Sequence, residues 1–321
     1  MGPGVTPGVG PGVTPDPINV LTDAVRVREL IAVLHACEDA GAQPVVFKGA
    51  ALAHTHYAES WQRPRSDADV LIAPGSRERV FALLERSGYE RRTLISGDLV
   101  MYQTPFERVD HLGIDHLLDI HWRIANPQVV SEVLPHDELV GRSVIVRVED
   151  YPMRVPSSVD SLLLACVHRV AHHPDVEQPF WIEDIHLLAT RLEPAEWETL
   201  VSRATSRSVG AICLQGLTRA RDRFHTPVPV DVLAALSERN SEPSAIFLRR
   251  DLRPVDRLAA DLRALGPLAA ARLVREHLFP PAEYMQAKYG LRSRALLPAY
   301  YAVRMLSGVS KWLRPYVSAT R

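Results

Sequence analysis

The sequence predicts an α/β (α+β) protein in two parts: a small mixed-sheet domain over residues 18–155 and a helical C-terminal domain over 156–321. Three observations carry that prediction. Short apolar runs bounded by Gly, Pro or charge, such as Val45-Val46-Phe47 and Val70-Leu71-Ile72, alternate with helix-period stretches in the first half. After Pro156 only helix-period stretches follow, separated by Pro-containing joints. The length of 321 residues fits about two folding units at roughly 150 residues each.

Each element follows from local chemistry. Residues 1–17 read MGPGVTPGVGPGVTPDP, with GPGVTP present twice; Pro and Gly at that density build neither helix nor ladder, so a disordered leader is expected. Val20, Leu21, Ala24, Val27, Leu30, Ile31, Leu34 and Cys37 recur at helical spacing, with Thr22 and Asp23 as candidate caps and Gly41 as the stop. Residues 44–47 form a strand, Lys48-Gly49 a turn, 50–57 a helix, and 67–72 a second strand ending at Pro74-Gly75. Ser76 opens a helix that Gly88 ends. Further strands are expected at 89–95, 99–104 and 115–124, then a hairpin from 142–149 and 151–155. Helices are expected at 159–172, 181–191, 195–207, 212–224 and 230–238, followed by arginine-rich helices within 246–278 and a tail at 282–314.

Composition excludes several classes. With 46% hydrophobic residues and a net charge of −1, the chain is neither disordered throughout nor a general polyanion binder. Cys37, Cys166 and Cys213 are odd in number and form no CxxC pair, which argues against a disulfide scaffold or cysteine-built zinc site and for a reducing compartment. No apolar run approaches the about 18 residues of a membrane span, and the N-terminus lacks the charged and apolar regions of a secretory signal. A soluble cytoplasmic protein is expected. Residues 246–321 carry a net charge of +9 against −10 for the remainder. Solvated arginine faces account for this; a phosphate-bearing partner is the other reading, but no aromatic-interleaved basic patch supports a nucleic acid.

The chemistry concentrates between Val45 and Trp122. A strand that turns through Lys48-Gly49-Ala50 into a helix N-terminus offers unpaired backbone amides and a positive dipole end, which suit a phosphate. Asp67 and Asp69 then open an apolar strand and project from one face about 7 Å apart, given a rise of ~3.3 Å per residue. Carboxylates so placed repel unless a cation sits between them, and a hard divalent ion shared with nucleotide phosphates resolves this. In Asp115–Trp122 the period of two sets Asp119 and His121 on one face and Leu118, Ile120 and Trp122 on the other. If this strand lies beside Asp69, Asp119 completes a three-carboxylate cluster. Taken singly, Asp-x-Asp and Lys-Gly are common surface features; their order carries the information. Only three lysines occur, Lys48, Lys288 and Lys311, so a lysine at the turn hints that a compact ammonium is wanted there.

Phe47-Lys48-Gly49-Ala50-Ala51-Leu52, then Tyr57, then Arg63-Pro64-Arg65-Ser66-Asp67-Ala68-Asp69-Val70-Leu71-Ile72, and later Asp119-Ile120-His121-Trp122, together resemble the uncharacterised nucleotidyltransferase family of the polymerase-β-like superfamily. Weaker similarity runs through Val155-Pro156-Ser157, Trp181-Ile182-Glu183-Asp184 and Tyr289-Gly290 and so spans most of residues 30–295. The resemblance implies a small nucleotidyltransferase domain with a helical C-terminal domain, an NTP such as ATP, and Mg²⁺. It implies Asp67, Asp69 and Asp119 as catalytic metal-binding positions. Lys48, Gly49, Ala50, Arg63, Arg65 and His121 form the nucleotide-binding set, Arg63 and Arg65 having surface ion pairs as their alternative. The superfamily's Gly-Ser or Gly-Gly turn is here Gly49-Ala50, which offers no hydroxyl. The expected reaction moves a nucleoside monophosphate to a hydroxyl of a small molecule, peptide or protein, with a natural-product or peptide intermediate as the acceptor. The alternative is a catalytically silent nucleotide-binding or antitoxin-like regulatory protein.

Other constellations are thinner. His168, His172 and His173, with Asp184 and His186 beyond, have loose spacing for zinc and no HExxH; packing is the simpler role. No GxSxG, Walker or GxGxxG motif occurs. The tail around Tyr300, Tyr301, Met305, Leu306, Trp312 and Leu313 reads as a helix closing the C-terminal part, with an amphipathic docking helix as the alternative.

Overall fold

The computed structural model describes residues 16–171, 178–238 and 241–314. The expected leader, apart from its last two residues, lies outside them. Helix α1 (Pro17–Asp39) begins inside the expected leader, with Pro at its first position and the Asp16 carboxylate accepting from Ile18 N–H at 3.0 Å. Thr22 and Asp23 are therefore interior residues and not caps. At the other end Gly41 takes φ +70°, and the Ala42 amide reaches back to Cys37 O at 2.9 Å, the helix stop the sequence suggested. Val27, Leu30, Val33, Leu34 and Cys37 form the buried stripe of α1.

Strand β1 (Val45–Phe47) leads directly into α2 (Lys48–Thr55), and β2 (Asp67–Leu71) follows a short 3₁₀ turn. Helix α3 (Arg77–Arg86) ends before Gly88, whose φ is +84°. Strands β3 (Glu90–Arg91), β4 (Gln103–Val109) and β5 (Asp115–His121) complete a five-stranded sheet of order β1-β2-β5-β4-β3. It is mixed: β2 and β5 run parallel, whereas β1 is antiparallel to β2 and β3 to β4. Short helices α4 (Gln128–Ser131) and α5 (His136–Arg142) precede the hairpin β6 (Val144–Val148) and β7 (Tyr151–Val155). Helices α6 (Ser158–Ala171), α7 (Pro179–Ala189), α8 (Pro194–Ser206), α9 (Gly210–Phe224), α10 (Val230–Ser237), α11 (Pro254–Ala264), α12 (Pro267–Leu278), α13 (Ala282–Tyr289) and α14 (Leu297–Leu313) follow.

Of the strands expected at 89–95 and 99–104, only Glu90 and Arg91, which pair with Glu107 and Phe106, and Gln103 and Thr104, which open β4, are strand residues. Beyond them the backbone finds partners outside any ladder: Leu99 N–H donates to Glu276 Oε2 at 2.7 Å, Tyr102 N–H to Asn126 Oδ1 at 2.7 Å, and Val100 N–H to Gly97 O at 3.2 Å. The strand that does form runs on through Pro105 to Val109, where the sequence suggested a stop.

The chain divides into two compact units. The first holds the chain up to Arg91, Pro105–Trp122 and His136–Ser161; the second holds Arg92–Thr104, Arg123–Pro135 and Leu162 onward. Val46, Phe47, Val70, Leu71, Phe81, Phe106 and Ile120 are wholly or almost wholly buried and form the core of the first. The second is centred on Ile185, Leu188, Leu200, Ile212, Cys213 and Leu217. Within it Asp261 of α11 accepts the Val129 amide of α4 at 3.1 Å, so a carboxylate from late in the chain caps a helix start more than a hundred residues earlier. No helix among the described residues is long and apolar enough to cross a membrane.

Two stability measurements check this packing. A Cβ on Gly216 of α9 would stand 2.9 Å from Cys166 Sγ and 3.1 Å from Ile185 Cδ1. Gly216→Ala is therefore expected to lose about 1–3 kcal/mol in denaturant unfolding, from overpacking that outweighs the helix propensity of alanine. The Asp261 carboxyl is pushed from the ordinary 3.8 up to about 6, by burial above all and against the Val129 amide and Arg257. The folded state thus holds that proton at a pH where the unfolded chain has lost it. The contribution falls as pH rises from about 4 to about 6, by up to about 3 kcal/mol. Asp261→Asn should flatten the stability profile over that window relative to wild type.

Candidate active site

Strand pairing builds the site. The parallel register sets Asp69 opposite Asp119 and Leu71 opposite His121, while β1 sets Phe47 opposite Asp69. Residues paired across neighbouring strands share a face, and so do residues two apart on one strand. Phe47, Asp69, Asp119 and His121 therefore collect on one side of the sheet. The opposite side takes the apolar residues: Ile120 is fully buried, and Trp122 meets Phe81 of α3 with ring centroids 5.9 Å apart. The alternation seen in Asp115–Trp122 is the one the fold uses.

Asp69, Asp119 and His121 each offer one ligand atom, and these atoms all lie within 4.8 Å of one another. His121 Nε2 is 2.9 Å from Asp69 Oδ1 and 3.3 Å from Asp119 Oδ2. The imidazole is fully buried and set edge-on to the Phe47 ring, centroids 4.9 Å apart. Burial and the nearby Lys48 charge oppose its protonation, but the Asp119 and Asp69 carboxylates outweigh them and hold its pKa above the ordinary value. Lys48 enters the same cluster, its Nζ 2.6 Å from Asp69 Oδ1 and 3.5 Å from His121 Nε2. The Lys48 and Asp69 side chains are 9% and 10% exposed, so this is a shielded ion pair and not a solvated one. Asp67 lies outside the ligand group and keeps an exposed edge. Its carboxyl is nonetheless pushed up to about 6 by loss of hydration, then by the Asp69 charge, with Lys48 opposing.

The turn between β1 and α2 is made differently from the sequence expectation. Phe47 is extended (φ −142°), and the left-handed residue is Lys48, at φ +52°. A non-glycine residue in that region is uncommon, and such conformations concentrate at functional sites. Gly49 serves another need: a Cβ there would stand 3.4 Å from the Arg63 guanidinium carbon, so the small residue leaves that group room over the first turn of α2. Ala50 is buried in that helix. Arg63, 5% exposed, also donates to Pro64 O and stays beside the helix start. Arg65 is turned elsewhere. It pairs with Asp23 of α1 and donates to Ser60 O at 2.8 Å, an ion pair between side chains only 10% and 13% exposed. Arg65, expected in the nucleotide-binding set with a surface ion pair as its alternative, thus makes an interior ion pair.

The structure brings together Lys48, Asp69, Asp119 and His121, with Gly49, Ala50 and Arg63 beside them and Asp67 on the rim. Two carboxylates and an imidazole at this spacing fit the reach of one divalent ion, whose donors lie about 2.0–2.3 Å away; the oxygen pair suits Mg²⁺ or Mn²⁺. Sequence reasoning did not see the direct Lys48–Asp69 contact or the Phe47 wall. The rarity of lysine was the one signal for the former. Among the described residues the alternative histidine cluster does not gather. His186 Nδ1 pairs with Thr226 Oγ1 at 2.8 Å, His168 packs edge-on to Trp181, and His172 and His173 lie outside the described residues.

No curated protein matches the chain. Two solved chains do. One is described as the solution structure of the antibiotic-resistance factor ANT(2'')-Ia, with substrate-regulated conformation dynamics; it is 18% identical, covers 63% of this chain and 99% of its own length, and has a TM-score of 0.41. The model of the uncharacterised nucleotidyltransferase family matches residues 18–225, a span that runs from α1 past α9 and holds every member of the cluster, and the chain belongs to that family.

Proposed function

We propose that the protein moves a nucleoside monophosphate from an NTP, with ATP the expected donor, to a hydroxyl of a small molecule, peptide or protein, and that it needs Mg²⁺ to do so. The observation that carries this reading is the pairing of Asp69 with Asp119 across parallel strands beside an electropositive helix start. Membership in a nucleotidyltransferase family supports nucleotidyl transfer in general; the acceptor and the ion are the proposed parts.

In this reading Asp69, Asp119 and His121 hold the divalent ion, with Asp67 joining from the rim. The ion, when bound, neutralises charge on the triphosphate and lowers the pKa of an oxygen nucleophile. Lys48, the first amides of α2 and Arg63 hold phosphate oxygens, an arrangement whose benefit is charge stabilisation and alignment. The acceptor hydroxyl oxygen forms a bond to the α-phosphorus, the bond to pyrophosphate breaks, and the hydroxyl proton passes to a site carboxylate, Asp119 in this assignment. A natural-product or peptide intermediate is the proposed acceptor.

The second reading is a silent nucleotide-binding or antitoxin-like protein. The observation in its favour is that Lys48 already balances Asp69 with no ion needed. Release of pyrophosphate from labelled NTPs in the presence of Mg²⁺ separates the two. Asp119→Asn should reduce turnover by about a hundredfold or more and leave the thermal midpoint near wild type. Asp69→Asn should abolish turnover as well, but it also strands the Lys48 charge and is expected to destabilise the fold by about 3–5 kcal/mol. Asp119 is therefore the cleaner site to change. Wild-type rates in a folded Asp119→Asn protein would refute the assignment.

A further inference from the structure

Lys48 is placed where a cation of the site belongs. Its Nζ touches Asp69 Oδ1 at 2.6 Å and lies 3.5 Å from His121 Nε2, so it is in contact with two of the three groups that would ligate an ion. The ammonium is shielded, its side chain 9% exposed, and lies 5.0 Å from the centroid of the Phe47 ring. Its backbone is in the left-handed region, at φ +52°, between an extended strand residue and a helix. That conformation costs free energy in a residue with a Cβ, and it persists where the surroundings require it. The chain thus accepts an unfavourable backbone at the one residue that delivers a compact ammonium to Asp69.

A phosphate-binding lysine and a carboxylate-neutralising lysine are different tasks. With Nζ on Asp69, the ammonium occupies space beside the ligand atoms that a divalent ion would use, and the two cations repel at contact distance. We infer that Lys48 is a resident cation that keeps the Asp69–Asp119–His121 group closed to divalent ions until nucleotide phosphates draw the ammonium away. This inference rests on the nucleotidyl-transfer reading above and adds an order to it. The ion enters with the nucleotide and not before. In the free protein the charge of Asp69 is balanced by Lys48; in the loaded protein the ion takes that place and Lys48 turns to the triphosphate, so no stage leaves the carboxylates uncompensated.

The test measures Mn²⁺ binding by electron paramagnetic resonance on the full chain without substrate turnover. In the absence of nucleotide, Lys48→Met should bind Mn²⁺ at least about tenfold tighter than wild type, since the repelling charge is gone. Lys48→Arg, which keeps a cation, should stay weak. Addition of an α,β-methylene ATP analogue should bring Mn²⁺ into wild type. Equal Mn²⁺ affinity of wild type and Lys48→Met without nucleotide, alongside analogue-dependent binding, would overturn the gate and leave the transferase reading standing. No Mn²⁺ bound by either protein, with or without the analogue, would overturn both. Should Lys48→Met not fold, wild type decides alone. Lys48 is the sole lysine before Lys288, so its acylation by a water-soluble succinimidyl ester can be read by mass spectrometry. Labelling should be slow and unchanged by Mn²⁺ alone; a severalfold rise on adding Mn²⁺ would mean that the ion displaces the ammonium unaided and would sink the proposal.

Discussion

Asp69 and Asp119 are forced together by the hydrogen-bond register of two parallel strands, and most of the first unit is arranged around that constraint. Like charges on directly opposed residues destabilise a sheet. Here the repulsion is met by Lys48 on Asp69 and by His121 between both carboxylates. Apolar packing on the reverse face keeps the register in place. A slip of one residue would turn the carboxylates toward Phe81 and bring Val70 and Ile120 to the polar side. The apolar packing on the far face therefore fixes the charge cluster.

The start of α2 supplies the opposite charge. Helix dipole, Lys48 and the Arg63 guanidinium converge where β1 ends, beside a pair of acids. A nucleotidyltransferase, a transferase of phosphorus-containing groups, needs both signs at close range: anions to hold a cation, and cations to hold phosphate. Family membership and this geometry agree on nucleotidyl transfer, and the displacement proposed for Lys48 would give the two halves a way to exchange partners.

The second unit owes its extent to buried carboxylates. Glu276 holds the Leu99 amide and Asp261 that of Val129, and so the segments on either side of β4 and β5 are counted with helices that come much later in the chain. Gly97 has to lack a side chain for this, because a Cβ there would fall 2.5 Å from Glu276 Oε2. A linear reading placed the division near residue 155. Tertiary capping redistributes two stretches of the first half instead.

What the sequence determined by itself was whatever depends on neighbours a few residues apart. The period of two put Asp119 with His121 and away from Ile120 and Trp122; Gly41 and Gly88 marked helix ends through their positive φ; the helix-period runs after Pro156 became helices. Only the tertiary structure decided which partner each polar group chose. Leu99 and Tyr102, expected in a strand, gave their amides to Glu276 and Asn126, Arg65 went to Asp23, and Lys48 of the Lys48-Gly49 turn took the left-handed conformation and reached Asp69. Periodicity reports which face of an element is apolar, whereas a hydrogen bond or ion pair is satisfied by whichever group the folded chain brings within about 3 Å, and in the pairs just named those groups lie 21 to 177 residues away.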